Sequence, residues 1–136
     1  MQLAYRRGTW DGRFPWGGRQ LYVTVAGSEA APDRALEATA QALVSRFDEV
    51  AREVEAFAVA LVPEGRVRMD RRENEGFRAR ICGFAPGELW FDGVRALDVE
   101  HPARALVSFV TGYPDGHVSY VAVFEEGRIV EIVAEV

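Results

Sequence analysis

The sequence predicts an α+β domain: an N-terminal β-hairpin and one long amphipathic helix packed on a bent, mainly antiparallel sheet of about five to seven strands. Three observations carry this. Apolar residues alternate with a period of two over 19–27. The spacing changes to three and four over 33–61. Alternation then returns in short segments, separated by turn residues, to the end of the chain. With 136 residues, 49% of them apolar and 27% charged, the chain has the length and composition for one core, and 1–136 reads as a single domain.

The first element is the hairpin. In "RQLYVTVAG" (19–27), Leu21, Val23 and Val25 point one way and Tyr22 and Thr24 the other. Gly17-Gly18 precedes it and suits a tight turn. A short leading strand is expected between Ala4 and Arg7. The helix follows: Leu36, Ala40, Leu43, Phe47, Val50, Val54, Phe57 and Leu61 form its apolar stripe. Pro32 suits its first turn, and Pro63 with Gly65 its end. A continuous helix over 33–61 would be about 43 Å long, more than the roughly 36 Å diameter of a compact chain of this length. A kink, a protrusion or an early end is therefore required. The loss of a polar face in "AFAVALV" (56–62) places the break near Ala56, with 56–62 as either a last stretch of helix or a short strand, the helix being preferred to about residue 60.

Strands fill the remainder. "RVRM" (66–69) is a weak one. "FRARICGF" (77–84) alternates cleanly, with Arg78 and Arg80 on its polar side. "ELWF" and "VRALDV" flank Asp92-Gly93, read as a two-residue hairpin turn. "RALVSFVT", "HVSYVAVF" and "RIVEIVAEV" read as a three-strand meander, apolar on both faces, so that either both faces are covered or one is an interface.

Composition excludes several functions. A net charge of −5 argues against nucleic acid as a partner. All sixteen basic residues are arginine, as a GC-rich bacterial coding sequence would give; without lysine there is no Walker-type phosphate loop, and neither GxGxxG nor GxSxG occurs. No apolar run is long enough for a membrane span and the start lacks a signal-peptide pattern, so a cytoplasmic protein with no membrane partner is expected. Cys82 is the only cysteine, which removes internal disulfides and cysteine-based zinc sites; no metal or other cofactor is expected.

No catalytic constellation is assigned. The candidates are His101 and His117, each near a carboxylate and each beside a turn, with Asp98 as partner, and Cys82, whose thiol Arg78 and Arg80 would acidify. Glu88, Asp92, Asp98 and Glu100 crowd together but also suit solvated turns. Between Arg66 and Arg80, six arginines face three carboxylates, a local +3 that leaves −8 elsewhere. Within that stretch Arg71, Arg72, Arg78 and Arg80 are the candidate binding residues. Trp10 and Trp16, in "GTWDGRFPWGG" (8–18), are the candidate aromatic anchors. Both buried against Leu43, Phe47 and Val50 they would be a structural clasp; the expectation is Trp16 buried and Trp10 partly exposed. The function expected is a non-enzymatic protein-binding module of inhibitor or immunity type, whose acidic surface meets a basic partner. The alternatives are a small-molecule or hydrolytic pocket between helix and sheet, and a self-associating domain that forms a homodimer.

Overall fold

A computed structural model describes residues 1–64, 89–111 and 118–134. They form an α+β architecture with one seven-stranded sheet and two helices. The strands are β1 (Ala4–Arg6), β2 (Thr9–Trp16), β3 (Arg19–Ala26), β4 (Trp90–Ala96), β5 (Arg104–Thr111), β6 (Val118–Glu125) and β7 (Arg128–Ala134). They lie in the sheet in chain order. All neighbours are antiparallel except β3 and β4. A parallel pair needs a crossover connection, and the segment between β3 and β4 holds both helices, α1 (Arg34–Val44) and α2 (Phe47–Glu64).

Three of the antiparallel joints are tight. Arg7-Gly8, Gly17-Gly18 and Glu126-Gly127 each make a two-residue turn, and all six residues have positive φ. Turns of this hand match the twist of the strands they join. The N-terminal group is thus a three-stranded antiparallel run, β1–β2–β3, longer than a single hairpin.

The core lies between the helices and one face of the sheet. Leu21, Val23 and Val25 of β3 are fully buried there, facing Leu36, Ala40 and Leu43 of α1. Phe47, Val50, Val54 and Ala58 continue the apolar stripe along α2. α1 packs on β3, β4 and β5, while α2 reaches β7. In β6, Tyr120, Ala122 and Phe124 are buried on one face and Val121 and Val123 on the other, so both faces of this strand are withdrawn from water.

Two expectations need correction. The helix is not continuous over 33–61. It breaks at Ser45-Arg46, and residues 56–62 lie within α2. Neither proline nor glycine causes the break. The Ser45 hydroxyl donates to the Ala42 carbonyl, the Arg46 N–H to Leu43, and the Glu49 N–H back to Arg46, tightening the chain to three-residue spacing. The two pieces, about 16 and 27 Å long, each fit the domain. α1 begins with Asp33 as its cap, the carboxylate accepting the Leu36 N–H at 3.0 Å, so Pro32 lies outside the helix.

The second correction concerns Asp92-Gly93, which is not a hairpin turn. Both lie within β4, where the register against β5 shifts between Phe91 and Gly93. Asp92 is the extra residue of a β-bulge. Gly93 is dictated by the parallel neighbour, because a Cβ there would run into the Tyr22 backbone. Of the remaining expected elements, 66–69 and 77–84 lie outside the described residues.

Candidate functional site

Asp98 and His101 sit in the connection between β4 and β5, at the end of the sheet where β3 and β4 finish. The chain folds back here on local bonds. The Asp98 carboxylate accepts the Glu100 N–H at 3.0 Å, and its carbonyl accepts the His101 N–H at 3.0 Å. The His101 carbonyl accepts the Arg104 N–H, also at 3.0 Å. Short polar side chains that bond their own backbone stabilise such turns.

These bonds bring the two side chains together. His101 Nδ1 stands 2.8 Å from Asp98 Oδ2, and because an ionised carboxylate can only accept, the nitrogen donates. This hydrogen bond, more than any other influence, holds the Asp98 carboxyl below its ordinary value; the Glu100 N–H and the charges of His101 and Arg104 act in the same direction. Arg104 lies 3.6 Å from Asp98 and reaches across to β6, where Nε and Nη2 donate to Glu125 Oε1 at 3.0 and 2.7 Å. The result is a chain of linked polar side chains: His101, Asp98, Arg104, Glu125.

Two hollows flank it. One, of about 420 Å³, lies against the sheet, with Leu97, Leu106, Val123 and Val130 as its apolar part. The other, of about 580 Å³, lies over the connection, bounded by Glu100, His101, Glu126 and Arg128. Val130 borders both. Its exposure has a backbone cause: the register of β7 against β6 shifts there, leaving Val130 without a ladder partner. Leu97, Val99 and Val130 are 41%, 60% and 47% exposed; Leu97 and Val130 share a hollow with carboxylates at 98, 125 and 131 and with Arg95 and Arg104, whereas Val99 borders a separate hollow beside Ser28 and Pro32.

The tryptophans lie elsewhere and apart from each other. Trp16 ends β2 at the opposite end of the sheet. Its ring meets Phe47 and Phe91 edge-on at 5.3 and 5.6 Å, and its N–H donates to Asp48 at 2.7 Å. Trp10 packs against Tyr5 at 5.6 Å and donates to the Ser28 carbonyl at 2.8 Å. Both are half-buried, and each indole N–H is used within the chain. They are two separate fastenings. Trp16 secures the β2–β3 turn to the start of α2, and Trp10 secures β2 to the loop after β3.

Among the expected site residues, the structure joins Asp98 to His101, places Trp16 at the opposite end of the sheet and bonds Trp10 to the loop after β3. Cys82, His117, Arg71, Arg72, Arg78 and Arg80 lie outside the described residues. The sequence reading did not single out Arg104, Glu125, Glu126 or Val130. One sign was available: Glu126 occupies a two-residue turn position where glycine or asparagine is the favoured choice.

Among the described residues, no group of three His, Cys, Asp or Glu side chains could hold a metal ion, and no helix is long and apolar enough to cross a membrane. No protein-family model matches the chain, and no curated protein or solved structure shows significant similarity to it.

Proposed function

We propose that the chain is a protein-binding module whose contact surface is the sheet end formed by the β4–β5 connection and the β6–β7 turn. The observation that carries this is the exposure of Leu97 and Val130 in one hollow, where the carboxylates along it and its neighbour (98, 100, 125, 126 and 131) outnumber the arginines (95, 104 and 128). Apolar side chains held open to water and rimmed by charge are the ordinary anatomy of an interface. The acid excess suits a basic partner, in keeping with the −8 carried outside residues 66–80.

Selection of peptides from a randomised library against the immobilised full chain tests the reading. The expected winners carry arginine or lysine beside a branched apolar residue. Leu97→Ser with Val130→Ser then weakens their binding at least about tenfold, since each removes an apolar contact of roughly 1 kcal/mol or more. No enrichment, or binding indifferent to the double substitution, overturns it.

A pocket reading has one observation of its own. His101 is held by Asp98 through Nδ1, its Nε2 makes no hydrogen bond among the described residues, and its ring borders the larger hollow. A carboxylate-oriented imidazole is the usual form of a general base. Turnover of simple ester or phosphoester substrates, lost in His101→Ala, would place the function there. A concentration-dependent dimer in sizing with light scattering would favour self-association.

A further inference from the structure

The surface at the β4–β5 connection is longer than the patch around Leu97 and Val130. A third hollow, of about 340 Å³, lies between α1 and the β6–β7 turn, with Ala38 and Ala42 as its helix wall. It shares Ala103 and Glu126 with the 580 Å³ hollow, which shares Arg104, Glu125 and Val130 with the 420 Å³ hollow. The three therefore follow one another from β7, over the connection, to α1.

We propose that they form one groove and that its occupant is an extended, basic segment of a partner protein. A branched apolar side chain of the segment would lie against Leu97 and Val130, its cations beside Glu100 and Glu126, and small residues along Ala38 and Ala42. This rests on the protein-binding reading above and adds the form of the partner to it. Three hollows in a row that share their walls suit an extended chain running through them, whereas a folded partner would more readily meet one broad patch.

Charge gives the sign. The Glu100 and Glu126 carboxylates make no ion pair or hydrogen bond among the described residues, and Arg128 is the cation beside them that also makes none. Asp98, Arg104 and Glu125 are engaged with His101 or with each other. Glu126 also holds a left-handed backbone, φ 51°, which costs a non-glycine residue stability. It keeps a carboxylate on the wall common to two of the hollows.

The groove is also held in shape without an occupant. The Glu126 N–H donates to the Ala103 carbonyl at 3.1 Å, joining turn to connection. The Thr39 hydroxyl donates to the Pro102 carbonyl, joining connection to α1. Arg46 donates to the Gly127 carbonyl, joining the helix break to the turn. A preformed site loses little freedom on binding, which favours an extended and otherwise flexible ligand.

The test uses the full chain and the basic peptides enriched in the selection above, with affinity read by titration calorimetry. Ala42→Trp fills the third hollow from an exposed helix position and is expected to weaken binding about tenfold; Ala38→Trp is the second variant should the first disturb the fold. Glu126→Gln is expected to cost severalfold and Arg128→Glu to gain severalfold, both effects shrinking as salt rises. Peptides that bind, respond to Leu97→Ser with Val130→Ser, and ignore Ala42→Trp, Ala38→Trp and Glu126→Gln overturn the groove and leave the module reading standing. A selection that yields no peptide overturns both. Binding by a folded basic protein whose isolated segments do not bind overturns the extended form.

Discussion

The two ends of the sheet solve opposite problems. At the Trp16 end, Phe14, Trp16, Phe47 and Phe91 meet ring to ring at 5.2–5.6 Å, and the indole N–H is spent on Asp48. At the other end the chain bonds mainly to itself through Asp98, His101, Arg104 and Glu125, while Leu97, Val99 and Val130 stay in water. Edge-on ring contacts add to the large area that aromatics bury, whereas exposed ion pairs contribute little. Stability should therefore concentrate at the aromatic end, with little of it resting on the charged end.

Truncating each end in turn tests this division most severely. Phe47 is 3% exposed and touches three rings, so Phe47→Ala should lower the unfolding free energy by about 3–5 kcal/mol in urea titration. Leu97→Ala should stay within about 0.5 kcal/mol of the parent. Comparable losses from the two would break the comparison. A milder version removes only the bond to Asp48: Trp16→Phe keeps a ring against Phe47 and should cost about 1 kcal/mol. Asp48→Asn in the same background should then add little, because the partner is already gone.

The sequence discloses these regions unequally, for physical reasons. Leu21, Val23 and Val25 are legible because a strand with one buried face must alternate. The stripe from Leu36 to Val54 is legible for the same reason at helical spacing. The break at Ser45-Arg46 is not, since its local bonds follow no residue signature and its other supports lie far away: Arg46 bonds Gly127, and Phe47 is seated among rings from β2 and β4. Asp92-Gly93 carries a turn signature, yet the need for glycine comes from the Tyr22 backbone on a strand some seventy residues earlier, and one dipeptide serves a bulge as well as a turn. At the charged end, Asp98 and His101 are recognisable as a pair because they are close in sequence. Glu125, Glu126 and Val130 join them only through strand register, which no local pattern reveals.

Glu126 sharpens the comparison from the other side. A residue kept for recognition at a conformational cost should be improvable for stability. Glu126→Asn relieves the left-handed backbone and should raise the unfolding free energy by up to about 1 kcal/mol. The same change should weaken basic peptides, whereas Glu126→Gln should weaken them without the gain in stability. If Glu126→Asn is destabilising, the carboxylate holds the turn together and is not reserved for a partner.

The smallest expected effect is in pH, and it should be confined to one end. The folded-state value of Asp98 is lowered from 3.8, chiefly by the His101 hydrogen bond. A carboxyl held low contributes stability that is fully present above its unfolded value, near 3.9, and that is lost as pH falls through the lower folded value. Wild type should thus exceed Asp98→Asn in thermal midpoint at pH 7 by a small margin, given the exposure of the pair. The margin should close as the pH is taken below about 4. Over the same range the deficit of Phe47→Ala should hold nearly constant, because nothing in that ring cluster titrates. Hydrogen exchange localises the change, since the Glu100 amide, which donates to the Asp98 carboxylate, should lose protection in Asp98→Asn at neutral pH. A margin that persists at low pH would mean that Asp98 supports the connection through shape alone, and the chain of linked side chains from His101 to Glu125 would then lose its first link.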